Sequence, residues 1–134
     1  MYNYKFHHEY PISIQQMKKL YNSVGWWPER EEVDIAKMLE NSITIGVWKE
    51  SELIGFARAV SDGVFRAYIE DVVVYEADRN KGIGEEMLTM LLRELTHIDI
   101  VSLFCEEKLI KLYRKQQFKV TKQIVMHRNQ LVKE

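Results

Sequence analysis

The stretch Arg79-Asn80-Lys81-Gly82-Ile83-Gly84 constrains this chain more than any other, because it separates the apolar run Asp71-Val72-Val73-Val74-Tyr75 from a segment with helical periodicity. A strand that feeds a glycine-bearing turn and then a helix start builds an anion site. The glycines let the backbone approach a ligand with no Cβ in the way, and the helix N-terminus aims unpaired N–H groups and the positive end of its dipole at the same spot. Residues Asn80, Lys81, Gly82, Ile83 and Gly84, with Arg79 beside them, are therefore candidate holders of a phosphate-bearing cofactor.

What the turn lacks narrows that cofactor. A P-loop needs a lysine and a Ser/Thr directly after its last glycine, whereas Gly84 is followed by Glu85 and Glu86. A dinucleotide fingerprint needs a third glycine where Met87 stands, early in a βαβ unit. Neither pattern fits.

Composition bounds the rest. At 134 residues and 46% hydrophobic, the chain suits one domain, residues 1–134, that buries its core without metal or disulfide. Nineteen basic residues against twenty acidic leave a net charge of −1 with no basic stripe, so nucleic acid is not an expected partner. Cys105 is the single cysteine, no apolar run has bilayer-spanning length, and Met1-Tyr2-Asn3-Tyr4-Lys5 has no signal-peptide core. The expected setting is the cytoplasm, away from membranes.

Periodicity gives the order of elements. Tyr2 to His8 alternates as a strand; Ser13 caps a helix whose apolar face is Ile14, Met17, Tyr21 and Val24, ended by Gly25. Trp26-Trp27-Pro28 makes an aromatic loop, either a wall for an apolar ligand or helix packing, and Glu29 to Asn41 reads as a second helix with Val33, Ala36 and Leu39 or Glu40 on successive turns. Thr44 to Trp48 and Leu53 to Val60 form a hairpin, and Ala67 to Tyr75 is the strand that delivers the glycine turn. Gly84 to Leu95 is the third helix, with Leu88, Leu91, Leu92 and Leu95 on one face; Ile98 to Phe104 is a strand; Lys108 to Lys115 is helical; two strands near Phe118 to Thr121 and Gln123 to Arg128 close the chain. The fold class is α/β, β-α-α-β-β-β-α-β-α-β-β, a mixed sheet with helices on both faces.

That order, the Arg-x-x-Gly-x-Gly turn after a strand, and Leu112-Tyr113-Arg114-Lys115-Gln116-Gln117-Phe118 together resemble the GNAT superfamily of N-acetyltransferases over essentially the whole chain. Within it, Ser61-Asp62-Gly63-Val64-Phe65, Asp71-Val72-Val73-Val74 and Ser102-Leu103-Phe104 look like the branch that includes arylalkylamine (serotonin-type) N-acetyltransferases and their bacterial relatives. The resemblance implies acetyl-CoA as co-substrate, a splay between the fourth and fifth strands, and direct transfer to a primary amine of a small molecule, peptide or protein. It also implies that main-chain groups of Val72, Val73 and Val74 pair with the pantetheine arm, and that Tyr113 is the acid that protonates the leaving thiolate. Gln117 departs from the family's glycine, and Glu106 replaces an asparagine that touches the cofactor in many relatives. A homodimer is a further implication, and a catalytically silent coenzyme A-binding module is the alternative function.

The amine acceptor must lose a proton, since a lysine-like pKa of about 10.4 leaves it mostly charged at neutral pH. Glu70 and Asp71 are the candidate bases, placed by strand alternation on opposite faces, with Asp71 favoured through its match to the branch and Glu106 a helper through water. The plain alternative for these carboxylates is strand-edge and helix-start charge, and for Tyr113 a core aromatic. His7-His8, His97 and His127 lack ligand spacing, so no metal is expected. Cys105 reads as a small buried residue, with cofactor contact as the alternative.

Overall fold

Alternating and continuous apolar runs fold into a five-stranded sheet in the computed structural model, which describes residues 1–25 and 30–130. Strands β1 (Tyr2–Phe6), β2 (Ile43–Lys49), β3 (Glu52–Ser61), β4 (Arg66–Val74) and β5 (Ile100–Leu103) lie side by side in chain order. The first four pair antiparallel; β4 and β5 pair in parallel. A parallel pair needs a long crossover, and helix α3 (Ile83–Glu94) supplies it. Helices α1 (Ile14–Ser23) and α2 (Glu32–Glu40) precede β2, and the short α4 (Ile110–Arg114) follows β5 after a 3₁₀ turn at Glu107–Leu109.

Each face of the sheet has its own core. Ile45, Val47, Ala57, Ala59, Ala67 and Ile69 pack on Met87, Leu88, Leu91 and Leu95 of the α3 side, while Phe56 and Val73 pack on Met17, Leu20, Tyr21, Ile35 and Leu39 of α1 and α2. Cover on both faces explains why Leu53 through Ala59 is continuously buried rather than alternating. In α1 the Ser13 hydroxyl accepts from the Gln16 amide at 3.3 Å, the expected cap.

Three expectations change. The buried face of α2 is Ile35 and Leu39, spaced i, i+4, and Val33 is 73% exposed; the helix begins at Glu32, and its short length lets one pair of residues dictate the packed side. Glu29 and the Trp26-Trp27-Pro28 loop lie outside the described residues. The two closing strands do not form: residues 115–130 make no ladder, and Val120, Ile124, Val125 and Met126 are exposed. β propensity favours a strand only where a neighbour supplies hydrogen bonds and a packed face.

Candidate functional site

Beyond β4 the chain enters a 3₁₀ turn at Glu76–Asp78 that is pinned from the far edge of the sheet. The Tyr2 hydroxyl donates to Asp78 Oδ1 at 2.6 Å, raising the phenol's pKa, and Lys81 Nζ donates to that hydroxyl at 3.5 Å. Arg79 Nε turns back to the Val74 carbonyl at 3.1 Å. Asn80 (φ 63°) and Gly82 (φ 78°) take left-handed conformations with Lys81 between them on the ordinary side, an alternation that turns successive N–H groups into one concavity. No side chain caps α3, whose first residue follows Gly82, so its first-turn amides remain free for an outside acceptor. A Cβ added at Gly84 would meet only Val72 Cγ1 at 3.7 Å and Val74 Cγ2 at 4.0 Å. Internal packing therefore does not demand glycine there.

The same strand opens beside the turn. The β4–β5 ladder runs from Arg66↔Ile100 to Ile69↔Leu103 and stops, although β4 continues to Val74. At that point β4 also carries a bulge: Arg58 pairs with Asp71 and Ala59 with Ile69, leaving Glu70 as the extra residue. The bulge shifts the alternation, so Ala67 and Ile69 face α3 while Val73 faces α1 and α2. Main-chain groups of residues 71–74 on the β5 side have no strand partner, which is the splay.

Titratable groups gather around this opening. Glu70 is exposed on the bulge near Tyr68, whose pKa burial and that carboxylate push up to about 12. The Tyr68 ring lies 4.9 Å from that of Phe104. Tyr113 is half-buried against the α3 core and edge-on to Phe118 at 6.0 Å. Burial, with Cys105 as a second cause, raises its pKa, so the phenol is protonated at neutral pH and able to donate. Tyr113 and the exposed Cys105 line an open cavity of about 710 Å³ between β5, α4 and the closing segment. Cys105 is thus not the buried small residue expected.

Asp71 is placed differently from its expected role. Its side chain is buried, and Oδ2 receives both Arg58 Nε at 2.8 Å and the Tyr21 hydroxyl at 3.1 Å. A carboxylate committed to a guanidinium and a phenol inside the α1 and α2 core is a poor proton acceptor for an incoming amine. Glu106 is exposed, its ionic partner being Lys108 at 3.7 Å, and among the described residues no hydrogen bond or ion pair joins it to Glu70 or Asp71.

Gln117 adopts φ 71°, the left-handed conformation glycine would favour, and the Phe118 amide closes the turn on the Tyr113 carbonyl at 3.2 Å. The turn that presents Tyr113 thus keeps its geometry without the glycine. Residues 9–118 match the acetyltransferase (GNAT) family model.

The chain belongs to the GNAT acetyltransferase family.

Other similarities agree with the GNAT assignment. A Prochlorococcus marinus protein named as an uncharacterised ycf52-like N-acetyltransferase is 33% identical over 86% of this chain and 67% of its own. The chain spans about two thirds or less of the length of the ycf52 relatives it matches. Their name differs from the arylalkylamine one expected. Among solved structures, a GNAT-family acetyltransferase from Streptococcus pneumoniae shares the fold with a TM-score of 0.78 at 23% identity, covering 96% of this chain and 100% of that one. An aminoglycoside N-acetyltransferase solved in complex with CoA shares it at 0.71 and 14% identity, over 97% and 95% of the two chains.

In this GNAT chain the legible part of the site is the turn. The Arg58, Tyr21 and Tyr68 contacts were not marked by any motif, since they join residues 13 to 50 positions apart or depend on the bulge. Their only signal in the sequence was an arginine inside the otherwise apolar run Leu53 to Val60.

Proposed function

We propose that this protein transfers an acetyl group from acetyl-CoA directly to a primary amine of a small molecule, peptide or protein, in a ternary complex. The observation that carries the proposal is the coincidence, on β4, of ladder end, bulge and glycine turn: one strand offers an unpaired edge and leads straight into an anion cradle. The residues suit the cofactor. Amides of Asn80 through Gly84, with Arg79 and Lys81 nearby, would hold the pyrophosphate, and the open main chain of Val72, Val73 and Val74 would pair with the amide-bearing pantetheine arm as an added strand does. When bound, acetyl-CoA supplies an activated acyl group.

The chain's own groups handle the protons. Glu70, exposed on the bulge, takes one from the ammonium of the acceptor, directly or through a water. A main-chain amide of Val72 to Val74 would direct a fixed dipole toward the thioester carbonyl of bound acetyl-CoA. Tyr113, kept neutral by its surroundings, donates to the departing sulfur. Asp71 is left out of the chemistry, and Glu106 has at most a solvent-side influence on the cleft. The aromatic surface of Tyr68 and Phe104 beside Glu70 suits an amine with an apolar flank, in line with the branch resemblance. The proposed compartment is the cytoplasm, and no helix among the described residues is long and apolar enough to cross a membrane.

Thiol release from acetyl-CoA with a panel of amines tests the reading. Tyr113→Phe is expected to lower kcat by about 10²-fold, the usual scale for one general acid, with coenzyme A affinity held within about twofold because the cradle is main chain. Unchanged turnover would remove Tyr113 from the acid role. Binding of acetyl-CoA with no transfer to any amine, peptide or protein would instead make the molecule a silent coenzyme A-binding module.

A further inference from the structure

We propose that Arg58, Asp71 and Tyr21 form a clamp that fixes the β4 bulge, and thereby the direction of Glu70 and of the main chain beside it, making Asp71 a positioning residue. The kinetic consequence rests on the acetyl-transfer reading above; the structural claim does not.

The clamp lies at the irregular step itself. Arg58↔Asp71 is the last regular pair before the extra residue, and Ala59↔Ile69 is the next. A bulge leaves one residue without a cross-strand partner, and a slip of one place sends every following side chain to the opposite face. Here such a slip would turn Val73 from the α1 and α2 core toward α3, and carry Glu70 away from Tyr68. Packing alone opposes this weakly, because Val72, Val73 and Val74 are identical in shape. A directional contact specifies which residue is the extra one.

The Arg58–Asp71 pair provides that contact across the strands at 2.8 Å, and Tyr21 joins the same Oδ2 from α1 at 3.1 Å. All three residues are buried, at 8%, 5% and 1% exposure respectively. A second layer steadies them: Arg58 Nη1 donates to Ser42 Oγ at 3.3 Å, Arg30 Nη1 donates to the Tyr21 hydroxyl at 3.2 Å, and the Arg30 guanidinium lies 5.2 Å above the Tyr21 ring. Buried ion pairs add little net stability against an apolar replacement, and fixing one arrangement over its rivals is the role that suits them. The groups facing Asp71 are Arg58 from β3, Tyr21 from α1, and Tyr68 along β4 itself.

Amide hydrogen exchange and pH-rate profiles on Tyr21→Phe, Arg58→Lys, Asp71→Asn and Glu70→Gln test the clamp. The first and third are expected to speed exchange at the amides of Glu70 and Asp71 by about tenfold or more, with the α3 amides unchanged, as for a local opening. Their kcat is expected to fall about tenfold at unchanged KM for acetyl-CoA, the signature of misplaced reacting groups. Arg58→Lys, which keeps the charge, is expected to fall between these variants and the parent. The acidic limb of the pH profile should persist in Asp71→Asn and disappear in Glu70→Gln. Loss of that limb in Asp71→Asn would make Asp71 the base and overturn the proposal, as would parent-like exchange at the bulge in both Tyr21→Phe and Asp71→Asn. Should Asp71→Asn fail to fold, Tyr21→Phe and Arg58→Lys decide the matter through exchange alone. A parent protein with no transferase activity would sink the acetyl-transfer reading while leaving the exchange result to judge the clamp.

Discussion

His7 shows how a single side chain can be settled by geometry that spacing does not reveal. Its Nδ1 accepts the Ile12 amide at 2.9 Å, which requires that nitrogen to be unprotonated, and burial lowers the imidazole's pKa. Because the folded pKa lies below the unfolded value of about 6.5, the unfolded chain binds more protons as pH falls through that window. Stability is therefore expected to decline on acidification from about pH 6.5 downward until the folded pKa is passed. Denaturant midpoints between neutral and mildly acidic pH should show the decline, and His7→Gln should flatten it. Tyr68 illustrates the same lesson at the opening of the sheet: as sequence it is one more aromatic residue in a strand, and only the neighbours Glu70 and Phe104 distinguish it. Glu70 and Asp71, adjacent in sequence, end in opposite environments, Glu70 exposed as the extra residue of the bulge and Asp71 buried in its pair with Arg58. Nothing in one strand's sequence announces a bulge; it is a property of the pairing of two.

Elements were more legible than contacts. The i, i+3, i+4 apolar spacing of α3 put Leu88, Leu91 and Leu95 in the core, where they are at most 2% exposed, since a long helix over a sheet has one packed side to choose. The nine-residue α2 gave its periodicity less to work with: of the expected face Leu39 is buried, but its partner is Ile35 and not Val33. The closing segment shows the converse error: apolar, β-prone residues such as Ile124 and Met126 read as strand, yet no ladder receives them. At the end of α4, Gln117 holds a left-handed conformation that costs a side-chain-bearing residue about 1–2 kcal/mol, part of which glycine returns through its freer unfolded chain. Gln117→Gly is accordingly expected to raise stability by roughly 0.5–1 kcal/mol. Chemical denaturation measures this directly, and a loss of stability would mean the Gln117 side chain holds the turn.

At the scale of the molecule, two cores on opposite faces make the sheet a rigid plate, and the glycine turn is the place where the plate meets solvent with free amides. A ligand that engages only the folded turn raises the apparent stability by mass action. Coenzyme A at 100 times its dissociation constant is expected to add about 2.7 kcal/mol, seen as a higher Tm, while NAD and ATP leave Tm unchanged. Equal shifts with all three would mean that the cradle recognises phosphate without the pantetheine arm. The family was readable from the chain because order of elements and one turn suffice for it, whereas the acceptor's identity is written in contacts between distant strands and helices.

The cradle's reliance on backbone direction has a consequence for descent. On the proposed mechanism the anion is held by the course of the main chain at Asn80 and Gly82, so genetic drift at Glu70 or Tyr113 would extinguish turnover while leaving recognition untouched. If that mechanism holds, a lineage carrying this architecture stands one substitution from exchanging an enzyme for a receptor.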